Sequence, residues 1–198
     1  MNNSSIKPYL ASVIEITSKP LSELERFFAT DSTGETTSTA STWFSIRSGR
    51  AIEKKDHITV HITTGTFLNA VTAVTVNAYE GEDNIIFRKH NQLTGKNFTI
   101  EEHSGDSKYL CKENCEEVES VGGVPFFRPK SNTLVRSDGS YAWLRMMLNY
   151  YNHPIKAKRS YNRRLNVEST IHAKKTKFGS LVRSKNDVAK ENESTLQW

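Results

Sequence analysis

Residues 57–65, HITVHITTG, alternate cleanly, and residues 67–78, FLNAVTAVTVNA, follow after a glycine-containing turn. In the first run Ile58, Val60 and Ile62 face one way and His57, Thr59, His61 and Thr63 the other. That is the period-two pattern of a strand. The second run is β-branched and nearly continuous, as in a central strand. Upstream, ERFFATDSTG (25–34) reads as a strand with Phe27, Phe28 and Ala29 buried, ended by the turn residues Asp31 to Gly34. Three strands joined in succession predict an antiparallel meander.

Further along, helices and strands alternate. DNIIFRKHNQL (83–93) has helical spacing, and FTIEEHS (98–104) is a short strand. KYLCKENCEEVESVGG (108–123) is a helix with a Gly-Gly stop, and VPFFRPK (124–130) is a strand that Pro129 confines to an edge or an end. GSYAWLRMMLNYYNHP (139–154) is a helix stopped by Pro154, and YNRRLNVESTIHAKKTKFG (161–179) is a long amphipathic helix. Strands separated by helices predict parallel crossovers. The expected fold class is α/β, a mixed five-stranded sheet with helices on both faces. Residues 1–20 read as a lead-in segment with a short apolar turn or helix, and 21–198 as one domain. Residues 35–56, rich in Ser, Thr and charge, read as a long hairpin or loop anchored by Trp43 and Phe44.

With 198 residues, 36% hydrophobic and 25% charged, the chain suits a single soluble domain with a full core. No apolar run approaches the roughly 18–20 residues of a membrane span, and no apolar signal segment opens the chain. A cytoplasmic protein without a membrane partner is expected. The net charge of +5 is unevenly spread: basic residues dominate from His153 onward, and the middle, EEHSGDSKYLCKENCEEVES, is acidic. A basic face with interleaved tyrosines suits nucleic-acid phosphate, and equally a solvated helix surface. Cys111 and Cys115 stand four residues apart, with His103 nearby, but no second Cys/His pair has zinc-like spacing, so two reduced helix cysteines are expected.

The helix at 161–179 has an odd face. Tyr161, Arg164, Glu168 and Lys175 are spaced by 3, 4 and 7 residues, within a stripe of roughly 60°. Val167, Ile171 and Phe178 form an apolar stripe beside it. Two further acids sit where ligands gather in α/β sheets. Asp31 ends the first strand and Asp106 follows the fourth; if those strands are adjacent, both carboxylates emerge at one edge, with Glu168 on a helix able to cross it. Three carboxylates around a point need a cation, and oxygen ligands suit Mg²⁺ or Mn²⁺. Each residue also has a plain reading: Asp31 as a turn residue, Asp106 as a helix N-cap, Glu168 as a salt-bridge partner of Arg164 or Lys175. An aspartic-protease reading of DSTG fails, because Gly34 stands three residues after Asp31 and no second copy exists.

YNRRLNVESTIHAKK resembles the Tyr-x2-Arg-x3-Glu-x6-Lys signature of bacterial and archaeal insertion-sequence transposases of the DDE type. Tyr161, Arg164, Glu168 and Lys175 stand at that spacing, and KFGSLVRSKNDVAKENE resembles the family's continuation. FFATDSTG resembles the block with the first catalytic aspartate, and HSGDSKYLCKENCEEVESVGGVPFFRPKSN the block with the second, an Asp followed one turn later by a Tyr. The three blocks lie in order over residues 21–195.

The resemblance implies a ribonuclease-H-like fold and a catalytic triad of Asp31, Asp106 and Glu168 holding Mg²⁺ or Mn²⁺, two ions in all. It implies cleavage and strand transfer at the ends of an insertion sequence. The partner would be double-stranded transposon-end DNA, the full-length assembly a homodimer, and the location cytoplasmic and nucleoid-associated. Tyr161, Arg164 and Lys175 would contact DNA. His61 and Trp43 stand where the family often has the same residue types; a structural role is expected for His61, and Asp83 is expected to cap its helix.

Two positions depart from the family pattern: Glu35 stands where an aromatic is usual, and Lys174 where an apolar residue is common. The family also carries a helical region before the first aspartate and an apolar helix after the signature. Here 30 residues precede Asp31 and the chain ends in STLQW, which suggests a catalytic core shortened at both ends. The alternative expectation is a non-enzymatic remnant that binds DNA through its basic face. A structure-specific nuclease of the same fold would carry the same triad.

Overall fold

The computed structural model describes residues 2–37, 47, 57–77, 83–130, 133–137 and 139–198. Trp43, Phe44 and most of the 35–56 stretch lie outside the described residues. Five strands form one sheet: β1 (Phe27–Thr36), β2 (His57–Gly65), β3 (Val71–Asn77), β4 (Glu102–Gly105) and β5 (Val124–Phe127). Their order is β3-β2-β1-β4-β5. β1, β2 and β3 are antiparallel neighbours; β4 lies parallel to β1, and β5 parallel to β4. The chain is therefore α/β with a mixed sheet. The helices are α1 (Lys7–Ser18), α2 (Asp83–Gly95), α3 (Lys112–Ser120), α4 (Tyr141–Asn152), α5 (Pro154–Asn162), α6 (Leu165–Phe178) and α7 (Asp187–Leu196). None of the described helices is long and apolar enough to cross a membrane.

Residues directly opposite in an antiparallel ladder share a face. The register pairs Asp31 with Ile62, Thr33 with Val60 and Glu35 with Ile58, so these acids and hydrophobes line one face. There Ala29, Ile58, Val60, Ile62 and Val76 pack with Val167 of α6 and with Val182. Thr30 and Thr63 point to the other face, toward α2. Next to them Phe87, Tyr109, Cys115, Val118, Phe127 and the α4 residues Trp143, Met146 and Met147 form a second apolar cluster. Helices thus cover both faces, as the pattern of alternating elements predicts.

The structure corrects three expectations and resolves one, the turn or helix of the lead-in, as a helix. Asp31-Ser32-Thr33-Gly34 is not a turn: β1 continues to Thr36, which pairs with His57. The alternating run of β2 offers a full ladder, and pairing overrides the turn propensity of four residues. β3 is an edge strand rather than a central one; its outer side is covered by α1 and α7. Residues 7–18 of the lead-in thus form a full helix packed on the sheet. The long helix at 161–179 is two helices, α5 and α6, joined at Arg163 and Arg164. Both keep right-handed helical dihedrals. The bonds there tighten to i−3: Arg164 N–H donates to Tyr161 O at 3.1 Å, and Val167 N–H to Arg164 O at 2.9 Å.

Two glycines end helices, one of them within the expected Gly-Gly stop. Gly122 (φ 85°) ends α3 and Gly179 (φ 82°) ends α6, both in the left-handed region where a Cβ is penalised. Beyond Gly179 the chain returns along the free side of β1. Thr36 N–H donates to Ser180 O at 2.8 Å, and Val182 N–H to Thr36 O at 2.9 Å. β4 stops beside Thr30, so this segment covers part of the longer strand's edge.

Candidate active site

The parallel pairing of β1 with β4 ends at Thr30 and Gly105. The next residues on each strand are Asp31 and Asp106, so the two aspartates emerge side by side. Asp31 lies inside a strand rather than at its end, but it stands where its β4 neighbour stops, and this leaves room for its carboxylate. Asp106 also caps a short 3₁₀ turn, accepting from Ser107 N–H at 2.6 Å. The N-cap reading and the site reading of Asp106 are compatible.

α6 brings a row of polar side chains over the same face. Arg164 Nη1 lies 2.7 Å from Asp31 Oδ2, and its Nη2 lies 3.2 Å from Glu168 Oε1. The guanidinium therefore bridges two of the three expected ligands. Its carbon stands 5.6 Å from the centre of the Tyr161 ring. Further along, Lys175 Nζ donates to Thr33 Oγ1 at 2.6 Å and to Gly34 O at 3.2 Å. Asp31, Arg164 and Glu168 are joined directly. Asp106 acts on Asp31 through its charge, while Tyr161 and Lys175 flank the group.

Burial raises the Asp31 pKa above the ordinary carboxylate range. The Ser32 N–H and the charges of Arg164 and Lys108 pull it back, and the Asp106 charge pushes it up. Tyr109, the residue one turn after Asp106, is buried against these acids. Its pKa is raised by burial first, then by the charges of Asp83, Asp31 and Asp106.

Among the described residues, no group of three His, Cys, Asp or Glu side chains stands close enough together to hold a metal ion. The Arg164 guanidinium lies between Asp31 and Glu168 and pairs with both. The donor set still suits a hard divalent cation, being all carboxylate oxygen. A guanidinium bridging two carboxylates is itself a stand-in for such a cation.

Sequence reasoning missed several partners. Lys108 donates to Ser32 Oγ, beside Asp31. Buried His61 lies 3.0 Å from the Tyr109 hydroxyl through Nδ1 and 3.4 Å from Asp83 Oδ1 through Nε2. These contacts hold His61 between β2 and α2; Asp83, expected to cap its helix, stands in the first turn of α2. The two departures from the family pattern turn out to be one feature. Lys174 and Glu35 form a fully buried ion pair, and Lys174 Nζ stands 5.4 Å from the Trp198 ring. Their shared deviation from apolar residue types was the sequence signal that they meet.

The zinc reading finds no support. Both ring nitrogens of His103 are engaged, with Thr30 Oγ1 and Asn91 Oδ1, each at 2.8 Å. Cys115 is buried in the α3–α4 core, and both cysteines are free.

No family model, no curated protein and no solved structure matches this chain.

Proposed function

We propose that the chain is the catalytic domain of a DDE-type transposase with a ribonuclease-H-like fold. The observations that carry this reading are Asp31 and Asp106 at adjacent ends of one parallel strand pair and the Arg164 link from Asp31 to Glu168. The third acid, Glu168, comes from a helix laid across them. The strand order, with an antiparallel β2 and parallel β4 and β5 around β1, supports the fold.

Asp31, Asp106 and Glu168 would hold Mg²⁺ or Mn²⁺. Bound there, the metal would activate a water or 3′-hydroxyl and stabilise the leaving oxygen of a phosphodiester. The protein's own groups do the rest. Lys175, anchored on Thr33 at the rim of the site, presents a positive charge to a phosphate of the cut strand. Tyr161 offers a ring for stacking or a hydroxyl for a phosphate oxygen. Lys156, Lys158 and Arg159 are exposed on α5 and extend the positive surface for the duplex. Burial of Asp31 keeps bulk water off its carboxylate, which strengthens its interaction with any cation.

The test is Mg²⁺- or Mn²⁺-dependent nicking or strand transfer on DNA carrying the element's ends. Activity that persists in Asp31→Ala or Glu168→Gln would refute the reading. The second reading is a non-enzymatic DNA-binding protein. The Arg164 bridge favours it, because a closed carboxylate site beside a basic helix binds phosphate without cutting it. It predicts salt-sensitive binding with little sequence preference and no metal-dependent cleavage.

A further inference from the structure

The site as it stands is neutralised from within. Arg164 reaches Asp31 at 2.7 Å and Glu168 at 3.2 Å. The two clasps are unequal. The Arg164 and Asp31 side chains are 15% and 13% exposed, whereas Glu168 is 52% exposed. The guanidinium is also incompletely used, because its Nε is buried with no hydrogen-bond partner. Arg164 sits at the tightened junction between α5 and α6, where the bonds run i−3. Its side chain leaves the backbone at a helix end, not from the middle of a rigid helix face. The guanidinium already stands 5.6 Å from the centre of the Tyr161 ring while it holds both carboxylates. A guanidinium and a divalent ion compete for the same two carboxylates, while a phosphate competes with those carboxylates for the guanidinium fork.

We propose that Arg164 is the resident counter-cation of the carboxylate site, and that a DNA phosphate draws it away and so opens the site to a divalent metal. This rests on the reading of Asp31, Asp106 and Glu168 as metal ligands. It makes metal and phosphate positively linked through one side chain, so each tightens the other by the same factor.

The experiment is a calorimetric titration of the full chain with Mn²⁺, without DNA, comparing the wild type with Arg164→Gln. The variant is expected to bind Mn²⁺ on the order of 10-fold tighter, within the usual range of coupling between sites. Adding Asp31→Asn to that variant should abolish the gain. Equal or weaker binding by Arg164→Gln, or a gain that survives Asp31→Asn, would overturn the proposal.

The wild-type chain gives a second measurement that needs no Arg164 variant. A short DNA duplex should tighten Mn²⁺ binding to the wild type more than to Asp31→Asn, each corrected for Mn²⁺ bound by the duplex alone. Equal tightening overturns the proposal. Failure of the transposase reading looks different. If Arg164→Gln gains Mn²⁺ affinity through Asp31 and neither chain cuts or joins DNA, the counter-cation stands and the transposase falls. Strand transfer with Mn²⁺ affinity unchanged by Arg164→Gln gives the reverse.

Discussion

Beneath α2, the sheet presents Thr30, His61, Thr63 and His103; beneath α6, the same strands present Ala29, Val60 and Ile62 with Asp31 and Glu35 among them. The first face is polar and closed. Thr30 Oγ1 lies 2.6 Å from Thr63 Oγ1 and 2.8 Å from His103 Nε2. Thr63 Oγ1 continues to His90 Nδ1 at 3.0 Å, and His90 Nε2 to Thr75 Oγ1 at 2.8 Å. His103 Nδ1 reaches Asn91, whose amide donates to Glu117 O at 3.1 Å. Each of these groups finds its partner inside the protein. The second face is apolar and covered by α6, and open only in that some of its polar groups lack a partner. Glu35 Oε2, Thr64 Oγ1 and Arg164 Nε are buried there without a hydrogen-bond partner, as are Trp143 Nε1 and the Tyr150 hydroxyl in the α4 cluster on the other side. Polarity of a strand face therefore does not locate the candidate site in this molecule.

The contrast can be broken most sharply at Asp31. Its folded-state pKa is raised, so its ionisation opposes folding. The favourable contribution is present at acid pH, below the unfolded carboxylate value, and is lost as pH rises through the folded value. At pH 7 Asp31→Asn is thus expected to keep or raise the thermal midpoint. On the proposed transposase reading, metal-dependent strand transfer should fall by several kcal/mol of transition-state stabilisation, on the order of 10³-fold. A marked drop in the midpoint would make Asp31 a structural residue, like those on the closed face.

The Glu35–Lys174 pair tests how the open face tolerates charge. Breaking a buried pair leaves an uncompensated ion, so Glu35→Leu or Lys174→Met alone should cost about 3–5 kcal/mol in urea unfolding. The double change is expected to recover most of that or exceed the wild type, because well-packed apolar residues often match a buried ion pair. A double variant as unstable as the singles would show that the pair also orients β1 against α6.

Acid should act on the closed face. Burial pushes the pKa of His90 and His103 down to about 3, with His61, His103 and Lys89 adding to the effect at His90. A depressed histidine pKa gives stability that is fully present above the unfolded value and is lost as pH falls toward the folded one. Between pH 6.5 and 5 each histidine should cost about 2 kcal/mol. Urea midpoints measured across that range check this, and a flat profile would mean that the network rearranges to accept protons.

These differences were only partly legible in the sequence. The alternation of β2 showed that two chemically distinct faces exist, and the order of elements showed the sheet class. The spacing of Arg164 and Glu168 showed that the two share a helix face. It could not show that Arg164 turns inward to Asp31, because a distant carboxylate decides the choice between a solvent-facing and a site-facing rotamer. The turn expected at Asp31 to Gly34 failed for a similar reason: local propensity cannot weigh a ladder supplied by residues 57–65. The closed face was hardest to see. His90, Asn91 and His103 look like surface polar residues, and only the crossing of α2 over β4 makes them partners.

The smallest expected effect compares neighbours on opposite faces of β2. Thr63→Val keeps the side-chain shape and deletes the hydroxyl that joins Thr30 to His90. It should cost about 1–3 kcal/mol, since both partners are left buried with an unmade bond. Ile62→Val removes one methylene from the apolar face and should cost about 0.5–1.5 kcal/mol. Urea unfolding of the two variants gives the order directly. Adding Thr30→Val to Thr63→Val makes both ends of the 2.6 Å bond apolar and should return part of the loss. If Ile62→Val proves the costlier change and the double threonine variant gains nothing back, the network is incidental and packing alone holds both faces. If the order stands, β2 specifies the fold twice: apolar contacts set which face meets α6, and a hydrogen-bonded chain fixes where α2 lies on the other.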